Sequence, residues 1–411
     1  MWRVAPALRR RRQPGGGARS HSVLHVTTSF DLGGTQTQIK HLCTASPTRY
    51  SHTATELFPE LNYLYRQGLT LDRERYVQGG AVSRLLGTAA LNRNRRGFHQ
   101  VQVHKLARDF ASERPETVVG WGHEVCALTF VAAAIARVPR IVFCIRTFNP
   151  SFGWTDTAFG SLLQAAHRRM LPQTSAVIVN STPLRDDYAA WAGRSADHIA
   201  VCPNGIAVET FAAPDRASRR AAMRRPYGIA ADAVVFAAVG RFSPEKGQRS
   251  VIEANRLCRE QGVRVTWLLC GDGPQLAELS QLAAAEGMDN VVFTGRTHDV
   301  AGILAAADGF VMPSRFEGMP NAMMEAMAAG LPCISTRRSG AVDIARDGVE
   351  ALYYEADDAP ALVGLVRRLL EVPGLMARLG SAAVARVRQF DVPAFVKRFE
   401  TILDGAAVPQ P

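Results

Sequence analysis

The sequence predicts an α/β protein made of two parallel-sheet domains that face each other across a cleft. Three observations carry this expectation. Short apolar, β-branched runs alternate with longer helical patterns along the chain, as βαβ units require. The alternation comes in two sets, separated by a polar, turn-forming stretch, "PNGIAVETFAAPDRASRRAAMRRPYGIAADA". At 411 residues the chain is also too long for one ordinary core.

In the first set, strands are expected at residues 23–29, 117–121, 140–145, 176–179 and 199–202, with helices over 124–137 and 158–171. In the second set they are expected at 233–239, 265–270, 291–294, 309–312, 332–335 and 351–354. From Pro360 the pattern is helical to about residue 404. The expected organisation is a basic extension over 1–21, a first domain over 22–205 and a linker over 206–232. A second domain follows over 233–380, and the helices of 381–411 cross back to the first. In open parallel sheets ligands bind beyond the carboxyl ends of the strands, so the loops that follow strands should hold the chemistry.

Composition narrows the class. Hydrophobic residues make up 47% and charged residues 21%, a globular balance. The net charge of +11 is unevenly placed. Residues 1–205 carry 25 Lys and Arg against 13 Asp and Glu, a net of +12, and residues 206–411 carry 23 against 24, a net of −1. The first half therefore suits an anionic partner: a lipid surface, a phosphorylated acceptor or nucleic acid. An arginine-rich bias on solvated faces would give the same count. Nucleic acid has only net charge behind it and is not expected.

The seven cysteines form no C-x-x-C pair and have no histidines at zinc spacing, so they read as reduced, buried small hydrophobes of a cytoplasmic protein. The longest apolar run, 125–136, is too short to cross a bilayer and reads as a core helix. The start, "MWRVAPALRRRRQPGGGARSHS", has arginines and glycines and no acid. It reads as a disordered basic extension, suited to contact with anionic lipid at the inner face of the cytoplasmic membrane.

Four strand-to-helix loops stand out. In "HVTTSFDLGGTQTQIKHL", Gly33 and Gly34 let a backbone approach a phosphate or sugar, although a plain tight turn would look the same. In "AVGRFSPEKGQRSVIEA", Arg241 and Lys246 can converge on one anion ahead of a helix N-terminus, as a pyrophosphate needs. "LLCGDGPQLAEL" reads as mainly structural. In "VVFTGRTHDVAGIL", the backbone after Gly295, beginning with Arg296, can meet a nucleobase edge.

The fifth stretch, "SRFEGMPNAMMEAMAAGLPCIST", places Glu317 and Glu325 eight residues apart. Glu317 precedes a Gly318-Met319-Pro320 turn. Pro320 suits helix position N1, Asn321 lies in the first turn, and Gly330 stops the helix. Glu325 lies just over one turn inside and can face a cleft while Met323, Met324, Ala326 and Met327 cover the other faces. A carboxylate accepts hydrogen bonds from vicinal hydroxyls such as those of a ribose. Taken singly, Glu325 also suits an ordinary helix-surface acid and Glu317 a loop acid paired with Arg315.

These motifs resemble those of the retaining glycosyltransferases of family 4, which have the glycosyltransferase B fold: two facing Rossmann-like domains. "RFEGMPNAMMEAMAAGLPCIST" is similar to the family's E-x7-E signature. "FDLGGTQTQI", "VIVNSTPLRDDYAAW…VCPNGIAVETF", "VGRFSPEKG", "CGDGP", "VVFTG" and "SGAVDIARDGVEALYYEADD" extend the likeness in order over residues 22 to 404. The resemblance implies transfer of a sugar from a UDP- or GDP-linked donor to a saccharide or lipid-linked acceptor, with retention and with no metal or other cofactor. It implies a catalytic set of Glu317, His123, Arg241 and Lys246. Glu317 would meet the donor sugar, Glu325 the ribose, and Arg241 and Lys246 the diphosphate, approached from the first domain by Gly33 and Gly34. Gly295, Arg296, Gly318, Met319 and Asn321 would complete the donor contacts. The family's first-domain histidine falls in "VVGWGHEVCALTF", at His123 or, with a one-residue shift, at Glu124; Arg146 in "FCIRTFNP" is a further cleft candidate. Two other readings remain: an epimerase or hydrolase acting on sugar nucleotides, and a non-catalytic nucleotide-sugar-binding subunit.

Overall fold

The computed structural model describes residues 20–28, 33–45, 49–57, 95–148, 157–212 and 216–406. The arginine run of the N-terminal extension lies outside them. The architecture is α/β, with two parallel six-stranded sheets.

The first sheet contains β1 (His21–Thr27), β2 (Tyr50–Glu56), β3 (Thr117–Trp121), β4 (Arg140–Ile145), β5 (Ala176–Val179) and β6 (Ala200–Val201), in the order β2-β1-β3-β4-β5-β6. Its helices are α1 (Gly34–Ala45), α2 (Arg95–Glu113), α3 (His123–Ala136), α4 (Thr157–Met170) and α5 (Thr182–Ala192). The central strands are apolar on both faces because helices cover both sides; all five residues of β3 are buried. Strand β2, "YSHTATE", was not expected from the sequence. It is an edge strand that alternates buried and exposed residues, so it lacks the apolar run that marks its neighbours. The expected core helix over 125–136 is α3, whose Val125, Cys126, Leu128, Ala132 and Ala133 are buried.

Between the sheets, the described residues of 206–232, which are 206–212 and 216–232, are folded. They carry α6 (Val208–Phe211) and α7 (Arg216–Arg224). The stretch that holds α7 reads from sequence as a polar linker, but Arg224 is buried. Its guanidinium donates to the carbonyls of Ala306, Ala230, Ala231 and Ala233 and to Asp308, each at 2.9 Å. Each nitrogen of the buried guanidinium thus finds an acceptor, which is the condition for burying it.

The second sheet contains β7 (Val235–Val239), β8 (Thr266–Cys270), β9 (Val291–Gly295), β10 (Gly309–Met312), β11 (Cys333–Thr336) and β12 (Ala351–Tyr354), in the order β12-β11-β10-β7-β8-β9. It is flanked by α8 (Gln248–Glu260), α9 (Leu276–Ala285), α10 (Val300–Ala306), α11 (Asn321–Ala328), α12 (Ala341–Ile344), α13 (Ala359–Glu371) and α14 (Leu375–Val387). The last helix, α15 (Val392–Leu403), packs Phe395, Val396, Phe399, Ile402 and Leu403 against the first sheet. The outward and return crossings pair where the Ile206 N–H donates to the Phe390 carbonyl at 2.9 Å.

A buried polar chain secures α15. Trp121 Nε1 donates to His25 Nδ1 at 3.0 Å, His25 Nε2 meets His52 Nδ1 at 2.9 Å, and His52 Nε2 meets Glu400 at 3.3 Å. Because the indole only donates and the carboxylate only accepts, one pair of neutral tautomers satisfies the whole chain, with a proton on Nε2 of both histidines. Burial holds His25 well below the ordinary histidine range. All seven cysteines are free thiols; six are buried as expected, and Cys43 is exposed.

Candidate active site

In each sheet the chain reverses its direction of sheet growth at one gap. In the second sheet that gap lies between the first-formed strand β7 and its neighbour β10, paired through Gly309–Phe236 and Phe310–Ala237. Loops leaving adjacent strands there run to opposite faces and open a crevice at the carboxyl ends. The loop after β7 carries Arg241 and Lys246, and the loop after β10 carries Glu317. The first sheet has its gap between β1 and β3, followed by Gly33 and by His123. The sequence-derived candidates therefore gather around two facing crevices.

Lys246 Nζ forms an ion pair with Glu317 Oε1, and Ser314 Oγ donates to the same oxygen at 3.2 Å. The Arg315 N–H donates to the Glu245 carbonyl at 2.9 Å, tying the two loops together. The Arg315 side chain pairs with Asp357 at 2.8 Å, not with Glu317. Arg241 is exposed, and among the described residues its guanidinium has no side-chain partner. Arg241 and Lys246 thus lie in one loop, but only Lys246 is engaged.

Helix α11 starts at Asn321, one residue later than expected, with Pro320 as its N-cap and not at N1. Met323, Met324, Ala326 and Met327 are fully buried. Glu325 lies on the remaining face, near Cys270 at the end of β8, where its charge acts on the thiol. It is not a surface acid: burial pushes its carboxyl from 4.5 up to about 7, and no partner among the described residues offsets this. Gly295 adjoins on the same side, its carbonyl accepting from the Gly271 N–H at 3.0 Å, and Arg296 next to it is exposed.

The first half meets this region closely. A Cβ on Gly34, the first residue of α1, would stand 2.8 Å from Asn321 Nδ2, so the N-termini of α1 and α11 confront each other. A Cβ on Gly318 would stand 2.3 Å from the Arg146 carbonyl, a separation only glycine permits. Phe148 meets Phe316 edge-on at 6.1 Å, and Asp343 of α12 accepts from the Thr182 N–H, at the start of α5, at 2.6 Å. Arg146 is buried, its guanidinium 4.6 Å from the Trp121 ring centroid.

His123 stands apart from this group. It opens α3, but its ring packs among His167, Tyr188 and Trp191, the last edge-on at 5.2 Å. Its Nε2 is buried with no partner among the described residues, and burial lowers its pKa to about 3. The ring is therefore neutral and held in the first domain's aromatic core, and none of its described contacts reaches Glu317 or Lys246. Asn180, Asn204, Ser314 and Asp343 were not singled out from sequence. Their partners lie up to 161 residues away, and the only local signals were turn and cap residue types.

The site can meet a diphosphate with two helix N-termini and two cations, and a diol with an unpartnered carboxylate. Comparison with known proteins identifies the family. The family model for group 1 glycosyl transferases matches residues 219–386, and the model for glycosyltransferase family 4 matches residues 33–210. EpsF of Bacillus subtilis, named as a glycosyltransferase, is 30% identical over 76% of this chain and 78% of its own. A GDP-mannose-dependent α-(1-6)-phosphatidylinositol monomannoside mannosyltransferase of Mycolicibacterium smegmatis is 31% identical over 67% of this chain and 75% of its own. The crystal structure of Anabaena HepE in complex with UDP-glucose superposes with a TM-score of 0.74 over 93% of this chain and 99% of its own, at 21% identity. The chain belongs to the group 1 glycosyltransferases and has the glycosyltransferase B fold.

Proposed function

We propose that the protein is a retaining transferase that moves a sugar from a UDP- or GDP-linked donor to a saccharide or lipid-linked saccharide. The observation that carries this is the pairing, at one crevice, of a Lys246–Glu317 ion pair with the isolated carboxylate of Glu325. A buried acid without a partner costs stability, and a ribose diol supplies the hydrogen bonds it lacks. Lys246 neutralises Glu317 through their ion pair. A diphosphate arriving between Arg241 and Lys246 offers the lysine a stronger anion and releases Glu317 to accept from hydroxyls of the donor sugar.

As the bond between the anomeric carbon and the phosphate oxygen breaks, negative charge grows on the diphosphate. Arg241, Lys246 and the N-termini of α1 and α11 stabilise it in place of a metal. The acceptor hydroxyl attacks on the face the diphosphate leaves, and its proton passes to a departing phosphate oxygen. His123, neutral and packed among aromatic rings, is given no proton-transfer role.

Relatives named for a GDP-mannose donor and for lipopolysaccharide core biosynthesis support a nucleotide-sugar donor and a glycoconjugate product. The acceptor side lies in the basic first half, where α3 exposes Val131 and Ile135 and α4 exposes Leu162 beside Arg168 and Arg169. Such a face suits peripheral contact with anionic membrane. Among the described residues no helix is long and apolar enough to cross a membrane. Incubation with a panel of nucleotide-sugars, following release of nucleotide diphosphate and the anomeric configuration of the product, tests the proposal. Inversion would refute retention, and nucleotide release without a glycosylated product would favour a hydrolase.

A further inference from the structure

We propose that Asn204 is a positioning residue for transfer, a single amide that locks the closed register of the two halves. It lies just before the chain crosses from the first half to the second, and it is buried. Its Oδ1 accepts from Arg146 Nη1 at 2.8 Å and from Asn180 Nδ2 at 3.5 Å, both first-half residues. Its Nδ2 donates to Asn321 Oδ1 at 2.6 Å and to the Met319 carbonyl at 3.4 Å, both in the second half. The backbone N–H of Asn204 meets Met319 Sδ at 3.1 Å.

The amide orientation is forced. A guanidinium only donates and a carbonyl only accepts, so Oδ1 must face Arg146 and Nδ2 must face residues 319–321. Both ends are held stiffly. Arg146 lies over Trp121, itself bonded to His25, and Gln38 of α1 grips the next residue through both the Gly205 N–H, at 2.7 Å, and its carbonyl, at 3.0 Å. Asn321 opens α11, which carries Glu325, and follows Glu317 by four residues. Asn204 thus sets how the first half seats against the stretch between the two acids. It touches neither acid, so its action runs through Asn321 and Met319.

The inference rests on the donor-site reading above. The test uses the full chain with Asn204→Ala, Asn204→Asp, Asn321→Ala and the Asn204→Ala/Asn321→Ala double variant. Asn204→Asp keeps an acceptor for Arg146 and turns the donation to Asn321 and Met319 into repulsion between oxygens, so it separates positioning from collapse of the Arg146 site. Because a misplacement of about 1 Å can cost roughly a hundredfold, kcat should fall about tenfold to a hundredfold in both Asn204 variants. In the two single Asn204 variants UDP or GDP affinity should change by less than about threefold, since Asn204 touches neither acid. The double variant should be no worse than the worse single one. Small-angle scattering of the ligand-free Asn204 variants should show a larger radius of gyration than wild type. Unchanged kcat in Asn204→Asp, additive losses in the double variant, or an unchanged radius of gyration would each overturn the proposal. Failure of wild type to bind UDP or GDP would instead refute the donor-site reading, and the scattering comparison would still decide the role of Asn204.

Discussion

Replacing Glu325 by glutamine should make the empty protein more stable and its nucleotide binding weaker. The carboxyl is pushed from an ordinary 4.5 up to about 7 by burial. A raised acid pKa means that the folded state holds a proton the unfolded state releases. The group's stabilising share is therefore full below about 4.5 and is lost as pH rises through about 7. At pH 8 the folded protein carries a buried, unpaired anion, at a cost on the order of 3 kcal/mol. Glutamine removes that charge without changing the shape. Thermal unfolding should therefore show Glu325→Gln more stable than wild type at pH 8 and nearly equal to it at pH 5.

Ligand binding moves the other way. Hydroxyls of a ribose donate best to the ionised acid, so Glu325→Gln loses the charge-assisted share of those bonds, roughly 1–1.5 kcal/mol or about tenfold in UDP or GDP affinity at pH 8. Wild-type affinity should also weaken roughly fivefold between pH 7 and pH 6, as the competent ionised fraction falls from about a half to about a tenth. The terminal phosphate of the nucleotide titrates near pH 6 as well, so the difference between wild type and variant isolates the glutamate. Calorimetry in two buffers of different ionisation enthalpy should find proton release on binding to wild type at pH 7, reduced in Glu325→Gln. A variant that is less stable at pH 8, or whose affinity equals wild type, would refute the reasoning.

Glu317→Ala should leave nucleotide diphosphate affinity nearly unchanged yet lower transfer severely, because the donor sugar loses its hydroxyl contact; parallel losses in titration and turnover would count against the division of roles. Glu400→Ala should lower the unfolding midpoint by an amount equivalent to about 1–3 kcal/mol, since His52 Nε2 is left buried without an acceptor; an unchanged midpoint would remove the polar chain as the fastening of α15. His123→Phe, which refills the space beside Trp191, should keep transfer within about tenfold, and a loss near the hundredfold or greater effects of general acid–base catalysis would return the histidine to the chemistry. Sedimentation with anionic vesicles should fall as salt is raised, because screening shortens the reach of the first half's charge; binding that ignores salt, or none, would point to a soluble acceptor.

The sequence was most legible where a single short segment decides the outcome. Strands β3, β4 and β5 are short apolar runs, and their ends coincide with the expected ones. The loops after β7 and β10 stood out because two cations fall in one strand-to-helix loop and two acids stand eight residues apart about another. What stayed hidden depends on distant partners. Arg224 looks like any arginine of a polar linker until five acceptors converge on it. Strand β2 is polar because one edge of the sheet faces water.

Glu325 and His123 show the same limit from opposite sides. Both are polar residues beside apolar helical sequence, and local spacing left each free to face solvent, core or cleft. The fold decides by what covers them. Around Glu325 the methionines of α11 close every face but one, and that face stays without a partner, so the carboxylate keeps unmet acceptor capacity beside the crevice between β7 and β10. Around His123 the covering groups are the rings of His167, Tyr188 and Trp191, and burial among them lowers its pKa. An unmet hydrogen bond beside a crevice points to a ligand, whereas one sealed under aromatic rings is a cost carried by the core. The two acids of one short stretch therefore stand in different states, Glu317 paired with Lys246 and Glu325 buried without a partner among the described residues, and the proposed division between donor sugar and ribose rests on that difference.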